Sequence, residues 1–233
     1  AGSSFLSATY DVNMPTQFTS SAFVVLIITL FIISTSGQSK HNKKHNNAPI
    51  YVLPESSLLG VAIVAFCASL SEGVIADWGA IFLIAVAHVS EGDAALGYAV
   101  FSIAMMTMRL IGGQIVHQFG VTKTARLAAL ITMIGSSIVL TFTSFAYILA
   151  GFGLIGLGLS VIIPLAFSRA ANDKNVSQGA AIASVATLGY GGFLLGPPLI
   201  GLIADISSIR TSFLILPVLA VLIFAFSRYL STK

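Results

Sequence analysis

The sequence predicts an all-helical membrane protein with about seven transmembrane helices, and three observations lead to this fold class. Apolar residues make up 56% of the 233 residues and charged residues only 8%, whereas a soluble domain carries roughly 25% charged residues. Seven apolar stretches reach the approximately 20 residues of helix that cross about 30 Å of hydrocarbon. Since these stretches are continuously apolar rather than alternating, helices are favoured over barrel strands.

The predicted spans divide into one lone helix and a block of six. Residues 1–19 are predicted to be extracytoplasmic, and residues 20–36 form the lone transmembrane helix. Residues 37–57 are polar and basic and contain two prolines, which is typical of a flexible cytoplasmic linker. A six-helix transmembrane bundle follows over 58–230. Its spans are predicted at 58–78, 95–116, 124–143, 146–168, 181–203 and 210–229.

The distribution of lysine and arginine predicts the orientation of the chain. With the linker placed in the cytoplasm, nine of the eleven basic residues lie inside, Arg210 lies outside and Arg109 is within a helix. The acidic loop 87–94, which has no lysine or arginine, then lies outside. We therefore expect an inner or plasma membrane protein with its amino terminus outside and its carboxyl terminus in the cytoplasm. A chain that starts outside with a lone helix and no signal peptide also suggests missing upstream sequence.

Two carboxylates, Glu72 and Asp77, lie inside the apolar stretch 58–86. A charge at membrane depth costs at least about 2.5–3.5 kcal/mol on insertion scales, so it usually faces a partner or a water-filled path. Counted from Leu58 at the inner face, Glu72 is about 21 Å deep and Asp77 about 28 Å. This places Glu72 in the outer half of the membrane and Asp77 near the outer interface. Five residues turn an ideal helix by about 140°, so the two carboxylates would not share a face.

Glu72 is the stronger candidate for a proton or substrate site, because a carboxyl group in such surroundings can bind and release a proton. Gly73 and Gly79 are able to loosen the helix and let both carboxylates face one cavity. The alternatives are that Glu72 is a structural hydrogen-bond partner and that Asp77 is an interfacial residue. Trp78 either anchors the helix at the headgroups or stacks on a ligand.

The penultimate span contains closely spaced glycines and two prolines. Gly192 and Gly196 are four residues apart, which favours close helix packing. Pro197 and Pro198 remove two backbone donors in mid-membrane. Because irregular backbone at that depth is tolerated only where protein or a water-lined cavity covers it, we expect a broken helix that lines a transport cavity. Pro164 is expected to kink its own span, 146–168, which precedes the penultimate one.

Arg109 is interpreted in one of two ways. Its long side chain snorkels to the inner interface, or it belongs to a cytoplasmic latch that opens and closes during alternating access. The second interpretation depends on the residues immediately after Arg109. Gly113 permits close helix approach, and a short turn leads to Lys123 and Arg126.

No cofactor and no metal site is predicted. The G-x-G-x-x-G match within 151–160 lacks the strand and the acidic residue of a dinucleotide site, so its glycines are interpreted as packing positions. His41 and His45 have no third ligand and stand in a basic loop. The helices contain no paired nucleophile and base, which argues against an intramembrane enzyme. The cations are not clustered on a soluble face, so nucleic acid is not an expected partner.

In three of these segments the chain resembles the carboxyl-terminal half of a major facilitator superfamily transporter, in the sugar-permease-like branch that includes fucose permeases. The segments are SEGVIADW, RLIGGQIVHQFG and GYGGFLLGPPLIG, and the similarity covers about residues 18–230. The resemblance implies that the lone helix matches the sixth helix of a 12-helix transporter and that the amino-terminal half is missing. It also implies secondary active symport of a small polar solute, such as a sugar, with protons by alternating access.

The loop motif of this family usually reads G-x3-D-R-x-G-R with an arginine upstream. Arg109 and Gly113 match it, but Gln114 occupies the acidic position, so a weaker latch is expected. The partners implied are the lipid bilayer, the solute, protons and the missing amino-terminal half. The alternative is a seven-helix receptor or signalling protein, which has the same topology. The long basic linker and the predicted broken helix count against that alternative.

Overall fold

The computed structural model describes residues 54–231 and six helical positions between 22 and 30. The regular elements within 54–231 are all helices, without strands. The elements are α1 (Ser56–Ala87), α2 (Glu91–Phe119), α3 (Val121–Thr141), α4 (Phe145–Leu159), α5 (Ile162–Ala171), α6 (Gln178–Ile206), α7 (Ile209–Ser212), α8 (Ile215–Phe226) and a 3₁₀ turn (Ser227–Leu230).

Six segments of the described chain are long and apolar enough to cross a bilayer: α1, α2, α3, α4 with α5, α6, and α7 through the 3₁₀ turn. Each overlaps one of the six predicted spans after residue 57, and most of them extend beyond the predicted ends. The predicted segment 1–19, most of the lone helix 20–36 and nearly all of the linker 37–57 lie outside the described residues. A seventh span is therefore not established.

Short turns reverse the chain between the spans. His88 ends α1 in the left-handed conformation, with φ of 54°. The hydroxyl of Ser90 then caps α2 by accepting from the backbone N–H of Asp93 at 3.2 Å, which satisfies an otherwise free donor at the helix start. Gly120 alone separates α2 from α3, and its φ of +79° favours a residue without a side chain. Such tight connections force neighbouring helices to run antiparallel.

Because the helices run antiparallel, their termini gather at two ends of the bundle, and the two ends differ in charge. Hydrogen bonds between different helices form at each end. At one end Arg126 of α3 donates from Nε to the Ser227 hydroxyl at 3.2 Å. At the other, Arg210 donates to the Leu140 and Thr141 carbonyl oxygens, which α3 leaves free as it ends. We call the first the basic end; besides Glu55 and Asp173 it carries the cations Lys123, Arg126, Arg169, Lys174 and Arg228. The acidic end carries Glu91, Asp93, Asp205 and Arg210.

Helix α1 is the central element of the bundle. Of its most apolar stretch 72% is buried, against 22% for α6 and 28% for α2. It packs mainly against α6, while α4 packs against α2 and α3. Glycines permit these close approaches, because a Cβ on Gly192 would collide with the Phe66 carbonyl oxygen and one on Gly156 with that of Phe101. The interpretation of the glycines in 151–160 as packing positions is confirmed at Gly156.

The predicted break at Pro197 and Pro198 is corrected by the structure, in which α6 runs as one helix from Gln178 to Ile206 through both prolines. The neighbouring helix covers one of the two carbonyls that the prolines leave without a donor: Gly73 of α1 lies against the Phe193 oxygen, where an added Cβ would approach to 3.1 Å. The interruption is found instead at residues 160–161, between α4 and α5.

Candidate functional site

A cavity of about 330 Å³ opens between α1, α2, α5 and α6. We call it the central cavity. Helix α1 contributes three residues at spacings of four and three, which places them on one helix face. The lining residues are Ala65, Ser69, Glu72, Arg109, Ile163, Phe167, Ala186, Gly189, Tyr190 and Phe193. Its only charged side chains are thus one carboxylate and one guanidinium.

Glu72 is half-buried in the wall of the central cavity. It lies about halfway along α1, since the helix begins at Ser56 and continues to Ala87. The helix extends nine residues beyond the predicted span 58–78, and the position of Glu72 in the outer half of the membrane stays a prediction.

Asp77 does not line the central cavity. It is exposed on another face of α1, as the predicted rotation between the two carboxylates requires. Helix α1 continues unbroken through Gly73 and Gly79, so these glycines do not redirect Asp77 toward Glu72. Trp78 also lies outside the cavity lining and packs near Gly201 of α6, where an added Cβ would come within 3.3 Å of the indole ring.

Arg109 lies in the cavity wall, roughly 15 Å before the end of α2. Its Nε donates to the Ser160 carbonyl oxygen at 3.4 Å. That oxygen is the acceptor that residue 164 would use in a continuous helix, and Pro164 has no N–H to donate. Arg109 therefore donates to a carbonyl oxygen that Pro164 leaves without its backbone donor, at the point where α4 ends and α5 begins. The sequence did not reveal this pairing, because the two helices meet only in the folded bundle.

Glu72 and Arg109 line the same cavity without forming a close ion pair. In residues 54–231 the one ion pair with an N–O distance below 4.0 Å joins Arg169 and Asp173. The central cavity thus holds two separated opposite charges, with Ser69 on the face of α1 that carries Glu72. Such an arrangement leaves room for a polar molecule to contact both charges.

Aromatic side chains that no sequence pattern singled out form much of the remaining wall. Phe167 comes from α5, and Tyr190 and Phe193 come from α6. Tyr190 is 69% exposed. Gly189, one residue earlier, faces Ala65 of α1, where an added Cβ would approach to 3.7 Å. Ser69 and Ala65 lie three and seven residues before Glu72, which identifies the α1 face in the sequence, but no comparable marker identifies the α6 face.

The glycines and prolines predicted to line the cavity are not among its lining residues. Gly192 and Gly196 lie instead at the α1–α6 contact, next to the backbone of Phe66 and Leu70 respectively. Pro164 lines a neighbouring cavity of about 340 Å³, together with Arg109 and Gly113.

The predicted latch residues are spread along the basic half of the bundle. Gly113 and Gln114 are exposed on α2, and Lys123 is exposed at the start of α3. Arg126 points toward α8, where its guanidinium lies 5.6 Å from the centre of the Phe224 ring. Arg126 and Arg109 therefore contact different helices.

Comparison with known proteins identifies the family of this chain. Residues 61–233 match the sequence profile of the Major Facilitator Superfamily. The chain belongs to the major facilitator superfamily. An uncharacterised transporter of Sinorhizobium fredii, y4wD, is 40% identical over 186 residues, which are 80% of this chain and 49% of that protein. An uncharacterised major-facilitator-type transporter of Yersinia pestis is 35% identical over 82% of this chain and 50% of its own length.

The fold is also that of a solved major facilitator structure. A variant of the Escherichia coli fucose:proton symporter superposes with a TM-score of 0.67, at 19% identity, over 94% of this chain and 55% of the symporter. This chain thus spans about half the length of the curated relatives it matches. The predicted family resemblance is confirmed. Members of this family are transporters rather than enzymes, and nothing in these comparisons supports a receptor.

Proposed function

We propose that this chain forms one wall of a secondary active transporter for a small polar solute, in which Glu72 binds the coupling proton or the solute. The observation that carries the proposal is the position of Glu72, halfway along the most buried helix and in the wall of the central cavity. A carboxyl group is rarely kept at such depth without a partner or a water-filled path. Arg109 and Ser69 supply further polar contacts, and Tyr190 supplies an aromatic face with a hydroxyl.

A second half-transporter is the proposed partner that completes the central cavity. Helices α2 and α6 are the least buried of the six spans, and both present large side chains outward near the cavity: Leu110 is 79% exposed and Leu194 is 73% exposed. Since the matched relatives are about twice as long, a bundle like their other half would cover this face. Rocking of the two bundles around a midplane site would give alternating access.

A sugar is the proposed solute class. The structural neighbour is described as a fucose:proton symporter, and separated polar groups next to aromatic faces suit a molecule with several hydroxyl groups and an apolar ring surface. We also propose a cytoplasmic latch at the α2–α3 connection of the basic end, formed by Arg109, Gly113, Gln114, Lys123 and Arg126.

Uptake by reconstituted vesicles tests the proposed function. The chain is co-expressed with the amino-terminal half of the Sinorhizobium fredii relative, and uptake of labelled fucose and a panel of neutral sugars is measured with and without an inward proton gradient. We expect gradient-driven uptake by the pair and none by either half alone, because each half supplies only one wall. Transport by this chain alone would contradict the two-wall proposal, and absence of uptake by the pair would contradict the solute class.

The basic end is proposed to face the cytoplasm of a cell whose plasma or inner membrane holds the protein, because basic residues are retained on that side. Cysteines placed at Asn175 and Ser207, both exposed and at opposite ends, test this in a Cys67→Ala background. We expect a membrane-impermeant maleimide to label the Ser207→Cys variant in intact cells and the Asn175→Cys variant only after permeabilisation. The reverse pattern would contradict the orientation.

A further inference from the structure

A second cavity, of about 340 Å³, lies at the basic end and shares no lining residue with the central cavity. We call it the basic groove. It is bounded by the start of α3, the last turns of α5, the loop after α5 and the 3₁₀ turn. Its lining residues are Val121, Leu165, Ser168, Arg169, Asn172, Lys174 and Leu230. Four of the seven are polar, two of these are cations, and no carboxylate is among them.

Arg169 is held in the wall of the basic groove by one edge of its guanidinium. Its Nη1 donates to Asp173 Oδ2 at 2.9 Å. The backbone N–H of Asn175, and then Arg169 itself, bond to the Asp173 carboxylate and lower its pKa, which keeps it ionised at neutral pH. Asp173 thus fixes the orientation of the guanidinium while leaving the opposite edge without a carboxylate.

The Nε of Arg169 has no hydrogen-bond partner, although it is buried. Within the described chain only one other buried side-chain polar atom, the Ser57 hydroxyl, is in the same state. Folded proteins seldom leave a buried donor unpaired, and on a charged group the omission is especially unfavourable. Nε and Nη2 share the guanidinium edge that binds an oxyanion through two parallel bonds.

Other groups of the basic groove suit the same ligand. Lys174 is exposed and adds a second cation. Asn172 donates one amide hydrogen to the Ser168 carbonyl oxygen at 2.8 Å, and its amide retains a second hydrogen. Val121, Leu165 and Leu230 form an apolar wall beside these donors. An anion with an apolar attachment fits both parts of the lining.

We propose that the basic groove binds a phosphate group through Arg169 and Lys174, carried by the headgroup of an anionic phospholipid or by a free phosphate compound. Basic pockets at the ends of transmembrane helices are a known form of headgroup recognition. Arginine and lysine play distinct parts, since the guanidinium edge gives directed bonds and the ammonium gives a point charge. This site is independent of the proposed transport function, because none of its residues lies in the central cavity.

Thermal unfolding with two separate probes tests the proposal and distinguishes the two sources. One arm places the chain in nanodiscs of phosphatidylcholine with increasing phosphatidylglycerol; the other titrates inorganic phosphate into protein in a neutral detergent. We expect at least one probe to raise the unfolding midpoint of the wild type. Arg169→Gln and Lys174→Gln are each expected to require about tenfold more of that probe, because each removes a charged hydrogen bond.

The matched control is Arg228→Gln, which removes a basic-end cation that stacks on the Tyr229 ring at 5.0 Å and does not line the groove. It is expected to respond as the wild type does. A response to phosphatidylglycerol alone identifies a lipid, and a response to phosphate identifies a free anion. The proposal is overturned if neither probe stabilises the wild type more than the groove variants, or if Arg228→Gln weakens the response equally. Lys174→Gln keeps the test valid if Arg169→Gln does not fold.

Discussion

Glu72→Gln is expected to lower proton-driven uptake by the paired halves at least tenfold while leaving exchange of solute across the membrane largely intact. Glutamine keeps the shape and hydrogen-bonding ability of the side chain but cannot take up a proton. Net symport requires the proton to be bound and released in each cycle. Exchange does not, because the transporter returns across the membrane with its solute still bound. The measurements are gradient-driven uptake and counterflow of the same labelled sugar, each as a function of pH.

The two assays separate the two roles proposed for Glu72. A loss of uptake with retained counterflow indicates the proton site, and a loss of both indicates solute binding. Asp77→Asn is the matched control, since Asp77 is a carboxylate of the same helix that is exposed outside the central cavity. It is expected to retain both activities. Unchanged uptake and pH dependence in Glu72→Gln would refute the proposed role of Glu72.

The second large effect is expected for stability. Gly192→Val should destabilise the bundle by about 3 kcal/mol, at the upper end of the usual cost of overpacking. The added Cβ meets the Phe66 carbonyl oxygen, its carbon and the Phe66 Cα of α1. These are backbone atoms, so neither helix can make room by rotating a side chain. Loss of the native state on heating or on addition of denaturing detergent measures the effect.

Gly191→Val is the control for this experiment. Gly191 belongs to the same turn of α6, and a Cβ there meets nothing within 4 Å. Both variants change the intrinsic helix propensity equally, so the difference between them isolates the contact with α1. We expect Gly191→Val to remain within about 0.5 kcal/mol of the wild type, as for most substitutions away from packed features. Equal stability of the two variants would show that Gly192 is not required for the α1–α6 approach.

A prediction about the site that depended on one helix alone was correct, and one that depended on a neighbouring helix was wrong. Separation of Glu72 from Asp77 follows from the rotation of a single helix, and the structure agrees. The predicted break at Pro197 and Pro198 was wrong, because it ignored the neighbouring helix. Gly73 lies against the Phe193 carbonyl oxygen, which Pro197 leaves without a donor, and α6 continues through both prolines.

The sequence alone determined the membrane class, the six described spans and the separation of basic and acidic ends, and it singled out Glu72 as the candidate site residue. These features depend on the lengths of the apolar runs, the positions of the charged residues and the cost of a charge in lipid. Each of these can be read from a single segment of the sequence. The tertiary structure decided which faces line the central cavity, where the proline-associated break falls and that Arg109 bonds to the Ser160 carbonyl oxygen. It also brought Arg169 and Leu230 to one groove. These depend on how distant helices approach and rotate against each other, which packing sets and local sequence does not encode.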